Sequence, residues 1–257
     1  MFLYKKKLAT DEQNGNTFVY DSNTIKIKIM AIVSFHLNPN LFLRDPQSSA
    51  LGQKIIQSSI KMIDKNGADD FTFKKLGSEI GSTEASIYRY FENKHRLLLY
   101  LIDWYWTWLE YKIDYGTQNI ASPVERLRTC IRMLVEEKKT DPDIPFVDEQ
   151  KLQRIVNTEF EKTYLTRQVD TDNKEGLFLP YKLLCKKIAG ILKEINPQYP
   201  FPHSLVSTIV LSANHQLYYA QHLPSLTDIK AESRQKHDKL VEFLEAIVLN
   251  TINTKIK

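Results

Sequence analysis

The chain is poor in the residues that punctuate folds built from tight turns. Its 257 residues include only 8 glycines and 10 prolines, which favours long helices over many short turns. Cysteine is scarcer still. Cys130 and Cys185 are the only two; they lie far apart and outside any CxxC spacing, which argues against a zinc ribbon or a dithiol redox motif and suits a reducing cytoplasm. Long apolar runs are missing too. The most apolar stretch, residues 97–109, is interrupted by Asp103, whereas about 20 apolar residues are needed to span a bilayer. Lys5, Lys6 and Lys7 near the amino terminus are followed by polar residues 11–14 rather than by an apolar leader segment, so a secretory signal is not expected. Metal-ligand spacing is absent as well. His215 and His222 would lie about 10 Å apart along a helix, too far for one ion, and His203 and His237 show no ligand spacing either. There is no phosphate loop, no GxSxG and no HExxH, so no enzyme class, cofactor or metal site is indicated.

What is present is ordinary globular material: 42% hydrophobic, 11% aromatic and 26% charged residues, with a net charge of +4. That balance is compatible with a polyanionic partner without requiring one. Residues 1–29 are polar and then alternate as Ile25, Ile27 and Ile29, a short strand pattern. Met30 offers an alternative start, on which residues 1–29 would not be native. Residues 1–45 as a whole read as an extended or disordered arm, containing Pro39 and, just beyond it, Pro46. Arg44 is its sole basic residue after residue 30, and an arm of this kind could reach an adjacent minor groove.

From Pro46 the period becomes helical. Leu51, Ile55, Ile56, Ile60 and Ile63 form one apolar face. Gly67 stands where a helix-ending glycine is expected, and Thr72 can cap the next helix. Phe73, Leu76 and Ile80 make a second, short face, broken at Gly81. Ser82 or Thr83 can cap a third helix carrying Ile87, Tyr88 and Phe91, and Asn93 can cap a long fourth one. Two short amphipathic helices around a glycine turn, over residues 72–91, are what a helix-turn-helix needs: one helix braces on the phosphate backbone while the second enters the major groove.

The segment TFKKLGSEIGSTEASIYRYFENKHRLL, residues 72–98, resembles the DNA-binding segment of the TetR family. Thr72, Leu76-Gly77, Ile80-Gly81, Ser86-Ile87-Tyr88, Tyr90-Phe91, Asn93-Lys94 and Leu97 occupy that family's pattern. Gly77 replaces the usual alanine, at a helix-propensity cost of about 1 kcal/mol; Ser82 replaces the usual valine and Thr83 the usual serine. The chemistry and the matching positions place Glu84, Ala85, Ser86 and Arg89 toward base edges, with Arg89 suited to guanine, Glu84 to a cytosine amine and Ala85 to a thymine methyl. Tyr88, Tyr90 and Lys94 match positions that usually hold phosphates, and Thr72, Lys74 and Lys75 could add backbone contacts. Residues 47–96 hold eight Lys/Arg against six Asp/Glu, a small surplus, so affinity should depend on dimerisation and on salt.

Past this unit, helical patterns are expected from Pro123 to about Lys138 and over roughly 146–170, 175–195, 202–222 and 226–252, with a loop at 141–145. The aromatic cluster Trp104, Tyr105, Trp106, Trp108 and Tyr111 reads as core packing, because neighbouring positions on a helix point in different directions. The expected fold is all-α: a three-helix helix-turn-helix domain at 46–96, then a larger helical regulatory and dimerisation domain at 97–257. The missing membrane span and leader make the cytoplasm the expected location, and the resemblance implies a homodimeric regulator, usually a repressor, of a palindromic double-stranded DNA operator. It also implies a helical regulatory domain that usually has a ligand pocket, which would take a small-molecule effector of unknown identity; with no long apolar run, no membrane partner is expected. Leu205, Ile209, Ala213, Gln216 and Ala220, with Leu240, Phe243, Leu244, Ile247 and Val248, trace the two helices that would pair between subunits. The alternative is a helical interaction protein that kept this fold and lost specific DNA binding.

Overall fold

A computed structural model describes residues 35–141, 144 and 146–253. Among these residues, ten α-helices follow two short 3-10 turns, Pro39–Leu41 and Pro46–Ser48. They are α1 (Ala50–Asn66), α2 (Phe73–Ile80), α3 (Glu84–Tyr88), α4 (Lys94–Thr117), α5 (Pro123–Val135), α6 (Glu149–Tyr164), α7 (Val169–Lys174), α8 (Leu179–Ile195), α9 (Pro202–His222) and α10 (Lys236–Asn253). No strand occurs among the described residues. The alternation at 25–29 and the question of Met30 lie outside them.

Helix starts follow local chemistry. The side chains of Ser49, Thr72, Thr83, Asn93, Ser122 and Asp148 each accept a hydrogen bond from a backbone amide in the first turn of the following helix, satisfying donors that the helix itself leaves unpaired. Pro123 occupies the first position of α5, where its missing N–H costs nothing. The central element is α4. Leu97 to Ile102, Trp104, Tyr105, Trp106, Trp108, Leu109 and Ile113 are all buried on it, so it is apolar around most of its circumference. It packs against α5, α6 and α8. The aromatic cluster is core, as expected: Trp106 meets Tyr181 of α8 and Phe160 of α6 with ring centroids 5.0 and 5.3 Å away.

The carboxyl-terminal part departs from the sequence reading at its boundaries. The pattern over 146–170 resolves into α6, ending at Tyr164, and the short α7 from Val169 to Lys174, while the pattern over 175–195 becomes α8 only from Leu179. The last helix begins at Lys236 rather than near 226. The intervening loop is held by the Thr227 hydroxyl on the Gln216 side chain at 2.6 Å and by burial of Ile229. α5 stops at Val135 because Glu136 turns extended and Lys138 folds back, its ammonium donating to the carbonyls of Met133 and Glu136.

The expected free arm needs correction over its described portion, residues 35–45. Phe35 and Leu41 are buried in the core, Phe35 meets Trp104 edge-on at 5.3 Å, and the Asn38 side chain donates to the Glu175 carbonyl at 2.8 Å. This segment then turns over the start of α1 at Pro46. A Cβ built on Gly52 would lie 2.3 Å from the Pro46 carbonyl oxygen and 2.6 Å from its Cα, so no side chain fits there without moving backbone. Gly52→Ala is therefore expected to cost about 1–3 kcal/mol, the usual range for overpacking, measured by urea unfolding. An unchanged midpoint would show that the Pro46 turn does not sit tightly on α1.

Candidate nucleic-acid interface

The helix-turn-helix is built by α2, Gly81 and α3. The Thr72 hydroxyl accepts from the Lys75 amide at 3.2 Å and opens α2. Gly81 closes it in the left-handed conformation, φ 65°, a backbone region that side-chain-bearing residues rarely adopt. The Ser82 amide then donates to the Gly77 carbonyl at 2.9 Å, which fixes the turn. Thr83 opens α3, its hydroxyl accepting from the Ser86 amide and pairing with the Ser86 hydroxyl at 2.8 Å. Ile87 is wholly buried, together with Phe73, Leu76, Ile80 and Phe91. α3 is short, so its orientation comes from this buried face and from its cap rather than from its own propensity.

The opposite face of α3 is open. Glu84, Ala85 and Arg89 are exposed and Ser86 is half-buried against Thr83. Neither Glu84 nor Arg89 forms an ion pair among the described residues. Of the expected phosphate-side residues, Thr72, Lys74 and Lys75 are exposed on α2, although the Lys75 ammonium reaches back to the Asp70 carbonyl at 2.8 Å. Tyr88 is 46% exposed and lies edge-on to Phe73. Lys94 is half-buried with its ammonium on the Ala68 carbonyl at 2.8 Å; that contact would have to be given up or shared for it to meet a phosphate.

Tyr90, matched in sequence to a position that usually holds a phosphate, is covered in the fold. Its side chain is only 3% exposed, its hydroxyl pairs with the Ser49 hydroxyl at 2.8 Å, and the Arg44 guanidinium covers its ring. The physical reason is the preceding segment: residues 43–49 fold over the carboxyl end of α3, and the Leu43 amide donates to the Tyr90 carbonyl. Sequence reading also missed two residues that brace the unit. Lys54 of α1 donates to the Ile80 carbonyl at 2.7 Å, at the turn itself. Lys61 pairs with Glu79 across α1 and α2 and holds its carboxyl below the usual range. Neither has a sequence signal, since each looks like an ordinary surface lysine.

Two charged contacts tie this unit to the later helices. At the start of α4, His95 and Arg96 meet Asp172 of α7 at 3.0 and 3.5 Å, and Arg96 also meets Glu175 at 2.8 Å. Asp64 of α1 is held in a two-point pair by Arg154 of α6, at 2.7 and 2.9 Å. Asp172 is buried and Arg96 mostly so, which makes the first contact less exposed to salt than an ordinary surface pair.

Comparison with known proteins agrees with this geometry. The family described as "Bacterial regulatory proteins, tetR family" matches residues 55–101. Among curated proteins, the nucleoid occlusion factor SlmA of Vibrio vulnificus is 26% identical over 153 residues, covering 54% of this chain and 78% of that protein. Among solved structures, AibR in complex with isovaleryl coenzyme A and operator DNA superposes with a TM-score of 0.53 at 16% identity, over 76% of this chain and 97% of that one. The ketosteroid transcriptional regulator KstR2 of Mycobacterium tuberculosis gives 0.51 at 14% identity, over 79% and 94%. At such identities the structural likeness shows the fold alone. Residues 55–101 thus match the family of bacterial tetR-type regulatory proteins, and the helices described around them share the fold of AibR and KstR2.

Proposed function

We propose that the chain is a sequence-specific DNA-binding transcriptional regulator, not an enzyme, that acts in the cytoplasm as a homodimer and represses genes under a palindromic operator. The observation that carries this reading is α3: its buried side is fixed by Ile87 while Arg89 and Glu84 stand exposed and without ion-pair partners among the described residues. On this reading Arg89, Glu84, Ala85 and Ser86 read base edges in the major groove. Thr72, Lys74, Lys75, Tyr88 and Lys94 hold the phosphates, while Tyr90 serves the protein's own packing. The reading takes residues 46–96, with the segment before them, as the DNA-binding unit and 97–257 as the regulatory and dimerisation unit.

Of the side chains expected to pair between subunits, Leu205, Ile209, Ala213, Ala220, Leu240, Leu244 and Val248 are buried within the subunit; dimerisation is supported by those left open on the last two helices, Phe243 at 44% exposure and half-buried Gln216 and Ile247, with Tyr218 at 40% and half-buried Leu217 beside them. A two-fold dimer would present two α3 helices to two half-sites, which is the geometric meaning of a palindromic operator. An effector bound among the later helices would act on DNA through the two charged contacts just described, since these connect α6 and α7 to α1 and α4. AibR was solved with both a coenzyme A thioester and operator DNA bound, which supports a ligand-controlled reading of this fold. No described helix is long and apolar enough to cross a membrane. The similarity to a Vibrio nucleoid occlusion factor favours a second reading, in which DNA binding serves nucleoid occlusion rather than gene control.

The test of α3 is Arg89→Ala on the duplex upstream of the protein's own gene. Loss of a bidentate guanine contact is expected to weaken binding by about 1–3 kcal/mol and to relax discrimination at one base position. Equal affinity and equal discrimination in the variant would remove Arg89 from base reading.

A further inference from the structure

The segment before α1 lies outside the tetR match, yet it is built onto the carboxyl end of α3. The Leu43 amide donates to the Tyr90 carbonyl at 2.8 Å, the Ser49 and Tyr90 hydroxyls pair at 2.8 Å, and the Arg44 guanidinium lies 5.4 Å from the Tyr90 ring centroid. Three contacts from one short stretch converge on a single tyrosine. The result is that the Tyr90 ring, at the end of the helix-turn-helix, is covered by a cation. Arg44 is exposed and has no carboxylate partner among the described residues. Asp45 beside it would repel an approaching phosphate, but its carboxylate accepts from the Gln47 amide at 2.9 Å and caps the turn at Pro46.

We propose that Arg44, held over the Tyr90 ring, is a DNA phosphate contact. The inference rests on the reading that α3 docks in the major groove. The chemistry suits the role. A guanidinium resting on an aromatic face keeps its planar edge free, and that edge matches two phosphate oxygens. Stacking on a buried ring and the anchored Leu43 amide also restrict the side chain before DNA arrives, so less freedom is lost on binding. One added cation matters in a unit whose eight Lys/Arg barely exceed its six Asp/Glu over 47–96. As a phosphate contact it contributes affinity and register without reading sequence.

The experiment compares full-length wild type, Arg44→Gln and Arg44→Lys on the gene's own upstream duplex and on a random duplex, each titrated with salt. Arg44→Gln is expected to weaken both duplexes by the same factor and to lower the salt slope by about 0.9. Between 50 and 200 mM salt its affinity should therefore fall roughly 3.5-fold less than that of wild type. Arg44→Lys should keep the wild-type slope. A Gln variant with unchanged affinity and slope overturns the inference, as does one that loses only the specific duplex, which would make Arg44 a base reader. Wild type that binds neither duplex overturns the groove-docking reading itself, and the inference with it. Thermal midpoints of the three proteins should agree, because Arg44 is exposed; a Gln variant that loses stability but keeps its slope would leave Arg44 a packing residue only.

Discussion

Replacing Trp106 by alanine is expected to remove about 3–5 kcal/mol of folding stability, the range for truncating a large buried aromatic. Trp106 is 1% exposed and joins three helices: it sits on α4, meets Phe160 of α6 and Tyr181 of α8, and lies edge-on to Tyr105 of its own helix. Phe160 and Tyr181 in turn meet Tyr164, so the ring anchors a continuous aromatic layer. Its indole N–H has no partner among the described residues, which means the residue is held by packing rather than by a hydrogen bond. Trp106→Phe should then cost much less than Trp106→Ala, because it keeps a ring and removes an unmet donor. Urea unfolding of both variants checks this. An alanine variant within about 1 kcal/mol of wild type, or a phenylalanine variant as unstable as the alanine one, would contradict the packing account.

The second large effect concerns Asp103, which is fully buried on α4. The Tyr164 hydroxyl donates to one carboxyl oxygen at 2.8 Å, and the other oxygen has no partner among the described residues. Burial raises its pKa well above the usual carboxylate range, only partly offset by the Tyr164 hydrogen bond. The folded protein therefore keeps a proton that the unfolded chain releases near pH 4. Above that pH the folded state binds more protons than the unfolded one, so rising pH lowers stability until the folded pKa is passed. The amide introduced by Asp103→Asn cannot titrate. The stability difference between this variant and wild type should consequently shift in the variant's favour as pH rises from about 5, by up to about 1.4 kcal/mol per pH unit. Glu149 behaves in the same sense, burial pushing it up to about 7, but it is common to both proteins and cancels in the difference. Parallel stability–pH curves for the two proteins would show that Asp103 is ionised in the folded state.

The helix-turn-helix was readable in the sequence because its signals are local. Thr72, Thr83 and Asn93 are each followed by a backbone amide they can reach, and Gly81 marks a left-handed turn. The inward faces, Leu76, Ile80 and Ile87, follow from helical spacing. What escaped the sequence was non-local. Phe35 and Leu41 flank Asn38, Pro39 and Asn40 in a stretch with no helical period to announce burial, and Phe35 packs on Trp104, far along the chain. Asp103 is conspicuous inside an apolar run, but its partner Tyr164 is 61 residues away. Tyr90 lies three residues after Ile87 and next to Phe91, so helical spacing puts it on their inward side; that residues 43–49 cover it is visible only in the fold.

Binding of full-length wild type to the duplex upstream of its gene, against a scrambled duplex of equal length across a salt series, tests the DNA-binding reading most directly. A sequence-specific regulator should show a specific excess of roughly a thousandfold or more at physiological salt, and an affinity for both duplexes that falls steeply as salt rises. Equal, salt-sensitive affinity for both duplexes would contradict the proposal of a sequence-specific regulator and leave a tetR-type fold that has lost sequence reading.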